Sequence, residues 1–106
     1  MGSRTRPELA ALIEQATVDC YNESEQATGL YTMIEDNLAI PFTTQMLGVT
    51  VKVEAVDLTA DDRIVAICSH NGQRQRVPIL DLPLPDPAPE GAQWIEAYRA
   101  WTAGAW

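Results

Sequence analysis

The chain has 106 residues and a formal net charge of −8, from 15 acidic against 7 basic residues, with hydrophobic residues at 46%. That length suits a single domain, residues 1–106, able to bury roughly two-thirds of its unfolded surface, and the composition excludes a disordered chain. The excess of carboxylates repels phosphate backbones and anionic lipid, so nucleic acid and membrane surfaces are excluded as expected partners. No apolar run approaches the ~20 residues that span a bilayer. Met1-Gly2-Ser3-Arg4 is not followed by the apolar stretch of a signal peptide, and the expectation is a soluble, cytoplasmic monomer.

Pro7 suits the first turn of a helix, with Thr5 as its cap. Leu9, Leu12, Ile13, Ala16 and Cys20 then recur at helical spacing, and Ala27, Leu30, Tyr31, Ile34 and Leu38 form a second stripe. One helix carrying both would be ~45 Å long, too long for so small a domain. A break is expected near Cys20-Tyr21-Asn22-Glu23 or at Gly29, and Pro41 ends the helical region.

From Phe42 the period changes to two. Phe42 to Met46 reads as a short strand, Leu47-Gly48 as a turn, and Val49, Val51, Val53 and Ala55 as the buried side of a second strand. Thr59 to Asp62 is a further turn, and Ile64 to Cys68 a third strand. His70-Asn71-Gly72-Gln73 carries the Asn-Gly signal of a tight hairpin, returning through Arg74 to Leu82, with Pro78 indicating an edge or a bulge. Pro83, Pro85, Pro87 and Pro89 stiffen a connector, and Trp94, Tyr98 and Trp101 form the apolar stripe of a closing helix. The fold class is α+β: N-terminal helices and a C-terminal helix on a small, mainly antiparallel sheet or partly open barrel.

Catalytic constellations are missing from this pattern. His70 is the single histidine and lies in a turn, Ser24 and Ser69 have no activating context, and neither a P-loop nor GxGxxG occurs. The chain is therefore expected not to be an enzyme. Cys20 and Cys68 match no metal spacing and read as small buried hydrophobes.

The acids are distributed unevenly. Between Pro7 and Val51 there is no Lys or Arg, while Glu8, Glu14, Asp19, Glu23, Glu25, Glu35 and Asp36 all fall there. Calcium takes about 6–8 oxygens from carboxylates, carbonyls and water, which suits acids gathered at a helix break or end. Two clusters qualify, Asp19-x-x-Asn22-Glu23-x-Glu25 and Glu35-Asp36-Asn37, the second beside carbonyls freed at a helix C-terminus. A third group, Asp57-x-x-x-Asp61-Asp62, fails as an EF-hand: Asp62 stands where glycine is needed, and Cys68 where the bidentate glutamate is needed.

The blocks Cys20-Tyr21-Asn22-Glu23-Ser24-Glu25-Gln26, Leu30 to Leu38 and Pro41-Phe42 are followed by Val49-Thr50-Val51, Val65 to Cys68, Arg76-Val77-Pro78 and Trp94 to Tyr98. In this order, from about Leu9 to Trp101, the chain resembles the cyanobacterial-type calcium-binding protein family, CcbP. The resemblance implies a cytoplasmic acidic protein that binds Ca2+ through surface carboxylates without an EF-hand, as a buffer or sensor. It carries over to Asp36 and the acids around it, Glu35 among them. Charge and geometry add Glu23, Glu25 and Asp57 as expected metal ligands. The alternative is a metal-independent interaction module whose acidic face binds a basic protein surface.

Overall fold

The computed structural model describes residues 4–106. Helix α1 covers Arg6–Ala16 and α2 covers Glu23–Asn37. Strands β1 (Phe42–Met46), β2 (Val49–Leu58), β3 (Ile64–His70) and β4 (Gln73–Pro78) follow, and α3 (Gln93–Ala103) closes the chain.

Thr5 begins α1 with a reciprocal cap, accepting from the Glu8 backbone N–H while the Glu8 carboxylate accepts from the Thr5 backbone N–H at 3.0 Å. The expected break between the helical stripes falls at Thr17–Asn22. Asp19 there adopts a positive φ of 64°, and Asn22 caps α2 by accepting from Glu25 N–H at 2.8 Å. Gly29, the other expected break, lies inside α2. A Cβ at that position would stand 2.2 Å from the Ala16 carbonyl oxygen, so its bare backbone is what lets the end of α1 approach α2.

The four strands form an antiparallel sheet in the order β1-β2-β3-β4, open rather than closed into a barrel. Asn71 and Gly72 both take positive φ, 52° and 77°, as the tight β3–β4 turn requires. The simple alternation expected along β2 does not persist. A bulge between Val53 and Ala55 shifts the register, so that Val53 and Val56 are buried while Ala55 turns away. The return strand also stops at Pro78, where the chain turns through a short 3-10 segment, Ile79–Asp81, before the proline-rich connector.

The three helices cover the half of the sheet built from Val56 and Ile64. Ile13, Leu30, Ile34, Trp94, Ile95 and Tyr98 pack there into the main core. Trp94 and Tyr98 are core residues, and the half-buried Trp101 donates from its indole N–H to Gln26 at 2.9 Å, tying α3 to α2. A smaller cluster, Val53, Ala66, Cys68, Val77 and Leu82, fills the centre of the sheet. Both cysteines are free; Cys68 is buried, which pushes its thiol pKa up, whereas Cys20 is half-buried rather than fully enclosed.

Candidate metal centre

The five expected ligands sit in three places. Glu23 and Glu25 occupy the first turn of α2, where negative charge complements the helix dipole. The Glu25 carboxylate also accepts from the Tyr21 backbone N–H at 2.6 Å, so it satisfies the chain just before the helix. These acids have a structural task at the start of α2.

Glu35 and Asp36 stand near the opposite end, about 15 Å away for ten residues of helix. Both are exposed, and the last turn of α2 contains no basic residue. Carboxylates here oppose the helix dipole. As at any helix end, the last carbonyls have no i+4 donor within the helix. Ala39 N–H donates to the Glu90 carbonyl at 2.8 Å instead of to Glu35, and Pro41 has no N–H to give Asn37. Met33 and Ile34, by contrast, have their carbonyls bonded by the Asn37 side chain and the Leu38 N–H.

Asp57 lies on β2, beside this end of the helix. Strand β1 pairs with Val49–Val53, and among the described residues no strand lies beside the other half of β2 on that side. Helix α2 covers the gap. The Tyr31 hydroxyl donates to Glu35 Oε2 at 2.9 Å and lies 3.4 Å from the Val56 carbonyl. Asp57 Oδ1 accepts from Leu58 N–H and its Oδ2 from Arg76, each at 2.9 Å. Burial, the hydrogen bond to Glu35, and the negative charges of Glu35 and Asp57 together push the Tyr31 pKa up to about 12. Glu35 and Asp57 therefore share one neighbourhood, around a neutral phenol.

Two groups here are not marked by the sequence pattern. Tyr31 falls in the apolar stripe of α2, although its i, i+4 spacing to Glu35 does place hydroxyl and carboxylate together. Glu90 arrives from the proline-rich connector, 51 residues beyond its partner Ala39, and no local pattern announces it. Gly91 allows that approach: a Cβ there would lie 2.1 Å from the Asn37 carbonyl oxygen. Among the described residues no three Asp, Glu, His or Cys side chains converge tightly enough to hold a metal. The oxygen-only chemistry at the end of α2 fits a hard cation, whose remaining shell would be backbone carbonyl and water.

Glu54 and Asp61, by contrast, are compensated. The Ser69 hydroxyl, with Arg74 and Lys52, holds the Glu54 carboxyl below its usual pKa, and the Thr59 hydroxyl does the same for Asp61. His70 ends β3 exposed, its Nδ1 3.1 Å from the Thr50 carbonyl. Among the described residues no helix is long and apolar enough to cross a membrane.

The family model for the calcium-binding CcbP proteins matches residues 11–102. The fold is similar to the crystal structure of CcbP from Anabaena, with a TM-score of 0.76, 20% identity, and coverage of 97% of this chain and 96% of that one. No curated protein matches the chain.

Proposed function

The chain belongs to the CcbP family of calcium-binding proteins, and from that premise we propose that it binds Ca2+ at the C-terminal end of α2. Asp36 is the principal carboxylate and Glu35 stands beside it, with freed backbone carbonyls and water completing the oxygen shell. One observation carries this reading: two exposed acids oppose the helix dipole where the last turn holds no basic residue and the Ala39 N–H is taken by Glu90 rather than by the Glu35 carbonyl. A bound cation would relieve that arrangement. Glu23 and Glu25, at the other end of the helix, and Asp57, paired with Arg76, raise the local cation concentration through their field. The protein acts in the cytoplasm as a calcium buffer or sensor, without an EF-hand and without catalysis.

The experiment is calorimetric titration with Ca2+ on Asp36→Asn and Asp86→Asn at two salt concentrations. Each substitution removes one formal charge. Asp86 lies exposed in the proline-rich connector, so it samples the total field without the helix end. Direct ligation makes the Asp36 loss larger, about tenfold or more, and keeps it at moderate salt. Equal losses that both fade with salt would remove the site from this position.

A second reading has its own observation. Val18 and Tyr21 are 67% and 88% exposed on the α1–α2 connection, among Asp19, Glu23 and Glu25. That mixture of apolar and acidic groups suits a basic amphipathic partner. Binding of such a partner undiminished by chelator would favour it over the calcium reading.

A further inference from the structure

The chain treats the outer edges of β1 and β4, and the half of β2 that β1 does not reach, differently. The outer edge of β1 runs beside the connector, where the Thr44 hydroxyl donates to the Pro83 carbonyl at 2.6 Å. The unpaired half of β2 is covered by α2 through Tyr31. Among the described residues strand β4 has β3 as its single hydrogen-bonded neighbour, and no helix makes more than a marginal contact with it.

The geometry of that edge follows from the hairpin. In a two-residue turn the flanking pair, His70 and Gln73, exchanges both of its backbone hydrogen bonds. Bonded pairs then alternate, so Gln73, Gln75 and Val77 face β3, while the N–H and C=O groups of Arg74 and Arg76 point outward. Pro78 falls at the next outward position and ends the available edge. The side chains alternate as well. Arg74 and Arg76 lie on the face away from the helices with Lys52, and they place three of the chain's seven basic residues on one side of an otherwise acidic protein. Their side chains remain 73% and 61% exposed despite pairing with Glu54 and Asp57. Gln73 and Gln75 lie on the opposite face. They border a groove of about 260 Å³ walled by Met46, Val49, Val51 and Cys68, at the end of the sheet that the helices leave uncovered.

We propose that the outer edge of β4 binds an extended peptide as a fifth strand, with acidic residues alternating with apolar ones. Backbone pairing to Arg74 and Arg76 would hold the peptide in place. Its acidic side chains meet the two guanidinium groups on one face, and its apolar side chains lean over Gln73 and Gln75 toward the groove on the other. A second copy of this chain is the poorer occupant: antiparallel β4–β4 pairing about a two-fold axis sets arginine against arginine.

The test uses an eight-residue peptide alternating valine and glutamate, with a valine–lysine counterpart, both in chelator so that calcium plays no part. Binding is read by calorimetry and by amide shifts. The valine–glutamate peptide is expected to bind the wild-type chain, shift the Arg74 and Arg76 amides, and exceed the lysine peptide by at least about tenfold, the scale of one or two charge-assisted hydrogen bonds. Arg76→Pro deletes an outward N–H without touching the β3 ladder, and it should weaken binding by a similar factor. Should that variant fail to fold, the Arg74→Gln/Arg76→Gln double variant keeps the backbone edge and must lose the preference for glutamate over lysine. Equal binding of both peptides, or shifts that bypass Arg74 and Arg76, would overturn the proposal. So would a wild-type dimer by sedimentation that Arg76→Pro dissociates, since the edge would then belong to a second copy.

Discussion

Gly29 occupies the middle of α2, where ordinary helix energetics favour alanine by roughly 0.5–1 kcal/mol. The structure reverses that expectation. An added Cβ would lie 2.2 Å from the Ala16 carbonyl oxygen, 3.3 Å from its carbonyl carbon and 3.5 Å from Cys20 Sγ. The first two atoms are backbone, and they cannot swing aside as a side chain would. Relief requires the end of α1 to retreat by about 1 Å, yet Ile13 and Ala16 anchor it in the main core. Overpacking of this kind costs about 1–3 kcal/mol, so Gly29→Ala should lose about 1–2 kcal/mol after the helix gain is subtracted. For a chain of this size that lowers Tm by roughly 5–15 °C. Thr28→Ala, on the exposed neighbouring position, is the control and should change Tm little or raise it. Thermal unfolding followed by circular dichroism decides the matter. A Gly29→Ala protein as stable as the wild type would show that the two helices are not in close contact at this point.

Calcium should raise Tm more than an equal concentration of magnesium, because an irregular, partly hydrated oxygen site suits the larger ion, and binding to the native state alone stabilises it. Equal shifts with both ions in differential scanning fluorimetry, or with sodium at matched ionic strength, would indicate screening only. The Thr5 backbone N–H and hydroxyl hold the Glu8 carboxyl below its ordinary pKa. The resulting stabilisation is present above the unfolded pKa and is lost as pH falls through the lower folded value. Glu8→Gln should therefore flatten part of the acid limb of Tm against pH; an unchanged limb would exclude the cap as a contributor.

Much of the fold was legible because its local signals agree with one another. Thr5 and Pro7 open α1, Pro41 follows the end of α2, and Asn71-Gly72 makes the tight turn between β3 and β4. What escaped was set by contacts distant in sequence. Gly29 looks like a helix breaker until Ala16 is brought against it, and its function is to permit that approach rather than to interrupt the helix. The bulge after Val53 is likewise invisible in a run of alternating residues, since only the pairing with β3 reveals that two residues oppose one. Open sheet rather than partial barrel follows from the short β1 and the helices that cover the remaining edge of β2.

For the candidate site, sequence marked the acids but could not separate those already employed from those still uncompensated. Glu25 and Glu35 look equivalent as letters in an acidic stretch. In the structure Glu25 caps a backbone N–H at the positive end of a helix, a setting that stabilises its charge without any ion. Glu35 and Asp36 stand at the negative end of the same helix, and there the charge is destabilising unless something neutralises it. Asp57 is again different, since Arg76 and the Leu58 N–H already occupy its two oxygens. Ranking the five expected ligands by what each still lacks leads to the end of α2. The Glu90 backbone reinforces that ranking: by accepting the Ala39 N–H it keeps that donor from turning back to the Glu35 carbonyl at the helix end. A connector far downstream in sequence is thus packed against the end of α2, and that coupling between connector and helix is the part of the proposed site that no short motif could have carried.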